Sequence, residues 1–568
     1  MSVHPVQIRL SAGHLGTIVD TALATLTGES FASRLWLCDP ALFGASEERK
    51  KVVANRLGWT LSPSWLTAKV DELESFAAEV QSDGFKHVVL LGMGGSSLCP
   101  EVLSRVFGLA NGLESFAIVD ATDPAAIGRV EGAVALKHTL FIVASKSGST
   151  IETRSQAEYF VDRLKSAGLD AGRQFVAITD SASALEQWAT VASFRRVFIN
   201  PSDIGGRYSA LSYFGMVAGA VLGIPLGELA KQTVQQAEAL QLDSQVNPSL
   251  LMGAALGAAA QKGADKLTFI ASESLRPVVP WIEQLVAEST GKESRGVVPI
   301  EAETPGTLDD YGADRLFCLM RLENEDVSDA AYNIILKSDR PWLEVVVSNR
   351  ASIGALFLLW ECATSAAGHV LDINPYDEPN VKESKDNTAR LLEQYSRDGS
   401  FKSDPVTVGT PDFDLTTSVA GQDTGCVLSS FLQGVGAGDY MSFLYFGDYT
   451  SDIESILSEV RLYGRGATGA ATLRGFGPRY LHSIGQLYKG GAQKGHFIVF
   501  LREIDSDRSI PGASFSFGTL LGAQALGDYQ ALVGRERPAI FVQLKGDPGA
   551  ALAQFSAAWR AATEQISV

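Results

Sequence analysis

The stretch His87-Val88-Val89-Leu90-Leu91-Gly92-Met93-Gly94-Gly95-Ser96-Ser97 runs from a β-rich apolar segment into a glycine-rich turn and on toward a helix. A short apolar run bounded by glycine predicts a strand buried on both faces. The glycines let the backbone turn tightly and let a ligand come close. The helix that follows offers free N–H groups suited to an anion, with Ser96 and Ser97 adding hydroxyls. No Gly-Lys-Ser/Thr follows and the spacing is not G-x-G-x-x-G, so this is neither a Walker loop nor a dinucleotide fingerprint. Taken alone, the turn reads equally well as a capped strand-to-helix connection.

Working outward, the same alternation of apolar runs with helical stretches continues through Phe116–Val119, Leu140–Ala144, Phe175–Thr179 and Val197–Ile199. Such a pattern predicts a parallel sheet covered on both faces, a doubly wound α/β unit. A second set follows the alanine-rich segment Leu250–Lys262, at Leu267–Ala271, Val297–Ile300, Leu316–Leu322 and Leu343–Val347, and ends in a helix through Leu356–Val370. Phe401–Gly425 is polar and contains Pro405 and Pro411, which predicts a linker. Beyond it, Met441–Phe446, His496–Leu501 and Ala539–Leu544 alternate with helices at Asp452–Leu462 and Phe517–Ala531, a third and smaller α/β unit.

The 568 residues exceed what one core accommodates, and 46% hydrophobic with 20% charged residues excludes disordered and fibrous classes. With 65 acidic against 47 basic residues the net charge is −18, which argues against nucleic acid as a partner. An anionic small substrate must therefore be held by backbone dipoles and a few placed cations. Cys38, Cys99, Cys318, Cys362 and Cys426 are scattered without metal-ligand spacing, as expected of reduced cysteines in a cytoplasmic protein with no metal site. The N-terminal sequence has no basic region followed by an apolar run, so no secretory signal is expected. Ser209–Gly227 carries no charge, but its glycines and Pro225 predict a buried helix rather than a membrane span.

Two further loops carry chemistry. Ser145-Lys146-Ser147-Gly148-Ser149-Thr150-Ile151-Glu152-Thr153 follows an apolar strand and packs five hydroxyls and a lysine into nine residues. The C-terminal ends of parallel strands are where open α/β sheets bind ligands. Hydroxyls, amides and a helix dipole hold a phosphate without a basic patch. In Ser202-Asp203-Ile204-Gly205-Gly206-Arg207-Tyr208-Ser209, an arginine behind two glycines leads into an apolar helix. Its guanidinium suits a developing oxyanion, or alternatively a structural ion pair.

These three motifs, in this order, resemble the phosphoglucose isomerase family, which is built on paired sugar-isomerase (SIS) domains. The first two fit any SIS protein; the Gly-Gly-Arg-Tyr-Ser motif is more specific. Gln284-Leu285-Val286-Ala287-Glu288-Ser289-Thr290-Gly291-Lys292 matches the family's Q-x-x-x-E-S-x-G-K context of the general base. Tyr376-Asp377-Glu378-Pro379-Asn380-Val381-Lys382-Glu383-Ser384-Lys385 is similar to its C-terminal signature, with Glu378, Asn380 and Lys382 departing from the usual Gln, Gly and Glu. The resemblance implies Glu288 as base, Arg207 as enediolate stabiliser, and Lys385 for ring opening. It implies a sugar-phosphate site on Gly95, Ser96, Ser145, Lys146, Ser147, Ser149, Thr150, Thr153 and Gln284. No cofactor is implied. On this reading residues 1–40 form an N-terminal segment, 41–245 the first SIS domain, 246–398 the second, 399–425 a linker, and 426–568 a C-terminal unit completing the site.

The family's ring-opening histidine is missing a few tens of residues after the base: Thr307–Arg315 has none. Leu481-His482-Ser483-Ile484-Gly485-Gln486 instead occurs far downstream, which implies that the third unit folds back to deliver His482. This arrangement resembles the isomerase part of bifunctional transaldolase/phosphoglucose isomerase fusions. A transaldolase barrel needs about 250 further residues, so the chain is expected to be the isomerase part alone. The implied activity is interconversion of glucose 6-phosphate and fructose 6-phosphate. The alternatives are a dual phosphoglucose/phosphomannose isomerase and a non-catalytic SIS sensor of sugar phosphates. A small sugar phosphate is the expected partner, with a homodimer and a link to a transaldolase suggested by the family. Neither nucleic acid nor membrane is expected.

Overall fold

Strand order follows from where the apolar runs can pair. A computed structural model describes residues 4–109, 112–327, 330–402 and 404–566. In the first unit, five parallel strands lie in the order Ser115–Val119, His87–Gly92, Thr139–Ala144, Phe175–Thr179, Arg196–Ile199. The chain thus starts inside the sheet, steps one way, then returns to the other side. The crevice of such a sheet opens between its first and third strands. Val88 to Leu91 and Leu140 to Ile142 have essentially no exposed surface, because helices cover both faces.

The second sheet has Trp342–Val347, Arg315–Leu322, Lys266–Ala271 and Val298–Ile300 in parallel, in that order. Its open edge is closed by Val6–Ser11, antiparallel to Trp342–Val347. The expected N-terminal segment is therefore part of the second unit. The reason lies in Val6, Ile8 and Leu10 alternating with Gln7, Arg9 and Ser11, a period-two pattern. Arg9 lies opposite Glu344 and pairs with it.

The third sheet repeats this plan. Ala471–Gly477, Tyr440–Phe446, Gly495–Leu501 and Ala539–Leu544 run parallel in that order; Phe413–Thr417 follows antiparallel to Ala539–Leu544, and the short strand Val408–Gly409, antiparallel to it, closes the far edge. Residues read from sequence as a linker thus supply a sheet strand. Phe413 and Leu415 are buried and alternate with Asp414 and Thr416, a pattern masked by the surrounding polar residues and prolines.

The uncharged stretch at Ser209–Gly227 holds the helix Tyr213–Val221, every residue of which is buried. Ile353–Val370 belongs to a segment long and apolar enough to cross a membrane, but 94% of it is buried within the protein. It is the central helix between the first two units, packed in one core with Leu66, Leu229 and Trp281.

The third unit docks through a row of its own arginines. Arg479 pairs with Glu101 and with Asp120, the latter at 2.8 Å. Arg502 holds Asp123 at 2.5 Å and Arg508 holds Glu131 at 3.0 Å. Arg461 donates to the carbonyls of Glu301 and Ala302, each at 2.8 Å.

Candidate active site

The loop after Leu91 and the loop after Ala144 leave neighbouring strands, since Gly92 lies opposite Ala144. Both therefore open into the crevice of the first sheet. Gly94 has φ +54°, and a Cβ there would lie 2.4 Å from the His482 carbonyl and 2.8 Å from Gln284 Nε2. A Cβ on Gly95 would lie 2.1 Å from the Gly206 carbonyl. The glycines thus let three separate segments, at 206, 284 and 482, close onto one turn.

In the serine-rich loop, Ser145 is buried; its Oγ accepts from the Gly148 amide at 3.1 Å and donates to Thr150 Oγ1 at 3.2 Å. That holds the turn rather than facing a ligand. Ser147 and Ser149 are exposed, with their hydroxyls 2.8 Å apart, and Thr150 precedes the helix Ile151–Ser166. Lys146 turns away, pairing with Asp180 at 2.6 Å and donating to the Ser202 carbonyl at 2.8 Å. Thr153 is buried.

Arg207 is 3% exposed, and every N–H direction of its guanidinium is taken. Nε donates to Ser289 Oγ at 2.9 Å, and Nη2 to the carbonyls of Pro375 and Asp377 at 2.8 and 2.9 Å. Nη1 faces two carboxylates, Glu378 at 3.1 Å and Glu288 at 3.3 Å. Burial alone would lower its pKa, but Glu288 and Glu378 hold it above its ordinary value. Glu288 ends the helix Val279–Thr290 and is largely buried. Burial pushes its carboxyl above the ordinary range; Arg207 opposes the rise and Glu378 adds to it. Nearby, burial brings Lys292 down to about 8 with Arg207 adding to the fall, while its partner Asp377 at 2.8 Å resists.

Gln284 joins the two halves of the site. Its Nε2 donates to Glu288 Oε2 at 3.1 Å and to the His482 carbonyl at 2.8 Å. His482 closes the turn Arg479–His482 that follows the strand Ala471–Gly477. Its Nε2 lies 2.9 Å from Glu152 Oε1, which also accepts from Gln524 Nε2 at 2.7 Å. Burial would raise Glu152, but His482 overrides it and holds the carboxyl below its ordinary range. A cavity of about 210 Å³ is lined by Ser149, Thr150, Glu152, Lys385, His482 and Gln524, among others. Lys385 reaches it from the helix Val381–Asp398.

Of the expected residues, Ser149, Thr150, Lys385 and His482 line this cavity. Gln284 ties the His482 turn to Glu288 and Arg207, which do not line it. Ser145 and Lys146 bond within and beside their loop. Sequence reasoning gave no role to Glu152 or Gln524, and marked Glu378 only as a departure from the family's Gln. Glu152 stood inside a quoted motif, and its signal was the carboxylate among hydroxyls.

A sequence-family model described as Phosphoglucose isomerase matches residues 68–304, the span holding the three glycine and serine loops and Glu288. Over that span the chain is similar to the phosphoglucose isomerase family. A protein of Cyanothece sp. (strain PCC 7425) named glucose-6-phosphate isomerase is 27% identical over 402 residues, covering 60% of this chain and 76% of that relative. One of Carboxydothermus hydrogenoformans with the same name is 26% identical over 405 residues, 61% of this chain and 86% of the relative. Among solved structures, a hypothetical protein from Thermus thermophilus superposes with a TM-score of 0.57 at 23% identity, over 68% of this chain and all 100% of that one. A glucose-6-phosphate isomerase from Chlamydia trachomatis gives 0.53 at 18% identity, over 70% and 90%. These two likenesses show a shared fold over the 68–70% of the chain that superposes. Lys385 and His482 both lie beyond the span that the family model matches.

Proposed function

We propose that the chain is an aldose–ketose isomerase interconverting glucose 6-phosphate and fructose 6-phosphate through a cis-enediol. The observation that carries this reading is the buried Glu288 carboxylate beside Arg207, tied through Gln284 to the His482 turn. The α-proton of a sugar carbonyl is weakly acidic, so its removal needs a placed base and stabilisation of the enediolate charge. Glu288, with its raised proton affinity, takes the proton from C2 and returns it to C1. Arg207 faces the same carboxylate and supplies the positive charge; loss of one such donor costs about 3–4 kcal/mol.

Ring opening moves a proton onto the ring oxygen and off the anomeric hydroxyl. His482, oriented by Glu152, and Lys385 across the cavity are the groups for these transfers. The phosphate is held by the hydroxyls of Ser147, Ser149 and Thr150, together with Gly95 and Ser96. Ser145 and Lys146 keep the loop in shape.

A coupled assay of fructose 6-phosphate isomerisation on wild type and Glu288→Gln tests the assignment. The variant is expected to lose about 10²–10⁴-fold in kcat; full activity would remove Glu288 from the role of base. Running mannose 6-phosphate in parallel separates a dual isomerase from a single one. We place the enzyme in the cytoplasm and read it as the isomerase portion of the fused-enzyme type. Dimerisation and association with a transaldolase are measurable by sedimentation of the chain alone and in mixture.

A further inference from the structure

Asp528 is fully buried in the helix Phe517–Gly534 and lies outside the cavity lining. Its carboxylate collects donors from three different elements. Tyr480 Oη donates to Oδ2 at 2.6 Å, Ser384 Oγ to Oδ1 at 3.2 Å, and Lys489 Nζ pairs with Oδ1 at 2.6 Å. Tyr480 stands two residues before His482 in the same turn. Ser384 directly precedes Lys385 in the helix Val381–Asp398. One carboxylate therefore grips the supports of both groups that flank the cavity.

Helix geometry makes this grip directional. Ser384, Lys385 and Thr388 all line the cavity. Successive side chains on an α-helix point about 100° apart, so the bond from Ser384 to Asp528 fixes the rotation of the turn that carries Lys385. Thr388 is four residues on, on the face of Ser384. It packs against the next helix so closely that a Cβ on Gly527 would lie 3.3 Å from its amide nitrogen. The helix face is thus fixed at two points. Lys489 and Asp528 are 2% and 0% exposed, and a buried ion pair is seldom more stable than apolar packing of the same volume. Orientation is what the pair supplies that apolar side chains would not.

We propose that Asp528 is a positioning residue that sets Lys385 and His482 in register across the sugar ring. The inference rests on the isomerase reading above. Ser384→Ala and Tyr480→Phe each remove one arm of the grip without leaving a buried charge unpaired. Asp528→Asn combined with Lys489→Met removes the centre with its partner. Each is assayed on cyclic fructose 6-phosphate and, by exchange of the C2 proton with solvent deuterium, on an aldotetrose 4-phosphate, whose phosphorylated O4 leaves no ring to open. Positioning predicts that kcat on the cyclic sugar falls about 10-fold, below the about 100-fold that a 1 Å misplacement costs. KM stays within about twofold, and exchange on the open-chain sugar is unchanged. Equal losses on both substrates, or losses that follow the unfolded fraction in a urea titration, would overturn it, as would wild-type kcat in both single variants. Absence of turnover by the wild type would instead remove the isomerase reading itself.

Discussion

His482 Nε2 lies 2.9 Å from Glu152 Oε1, although 330 residues separate them in the chain. The histidine belongs to the third unit and the glutamate to the first helix beyond the serine-rich loop, so the pair exists only when those units are docked. Replacing His482 by Ala is expected to cut turnover of the cyclic sugar by about 10²–10⁴-fold. Proton exchange on a sugar phosphate with no ring should be little affected. Stopped-flow assays on both substrates measure the split, and equal loss on the two would assign His482 to another step.

On the proposed mechanism the acid limb of kcat/KM is set by Glu288, which acts as base only when deprotonated. Burial raises its proton affinity, so activity is lost, as pH falls, at a higher pH than for an ordinary carboxylate. Glu378 adds to that rise and shares Arg207 Nη1 with Glu288. Glu378→Gln takes away a negative neighbour and leaves Arg207 more available to Glu288. Both effects lower the affinity of Glu288 for its proton, so the limb should move to lower pH. A pH–rate profile reads the shift; an upward move would contradict this electrostatic account.

Arg479 is the partner of Asp120, which is 1% exposed in its side chain. Removing it as Arg479→Ala leaves a buried carboxylate unpaired, and such a loss costs about 3–5 kcal/mol. Burial already raises Asp120, with Arg479 resisting. Without the arginine, protonation becomes the remedy, so the deficit should shrink as pH falls. Urea unfolding at several pH values measures it.

Glu283 faces the junction of all three units beside Glu301, Arg474 and Arg479. Burial, with Glu301 adding, pushes it up to about 8. Its folded form keeps a proton that the unfolded chain has lost, so between the ordinary carboxylate range and about pH 8 its contribution to stability falls as pH rises. Glu283→Gln should then be more stable than wild type at pH 8, by about 1–3 kcal/mol. The gain should vanish near pH 4. An equal gain at both pH values would mean that the effect is steric.

The parallel strands were legible because continuous apolar runs such as Val88–Leu91 and Phe497–Phe500 have no other good fate than a sheet covered on both faces. The site loops were legible for a related reason: glycine and serine directly after such a run are costly unless the backbone there must bend or bind. Four strands escaped, the two-residue Val408–Gly409 among them. Val6–Ser11 is an edge strand and Phe413–Thr417 lies next to one, each with one face polar, and Ala471–Gly477 carries two glycines that let Leu444 and Phe446 pack against it. Glu152 was hidden because its partners lie 330 and 372 residues away, and Asp528 because its partners sit on other elements, the farthest 144 residues away, which no local pattern records. The lysine in the serine-rich loop misled in the opposite sense. Its charge suited a phosphate, yet Asp180 lay close enough to claim it.

The strand Val6–Ser11 covers the edge of Trp342–Val347. During synthesis it leaves the ribosome long before the sheet that it closes. An uncovered apolar edge is a template for pairing with another chain. Here the cover is already present when the edge emerges, so the nascent protein meets that hazard with its intramolecular partner in hand.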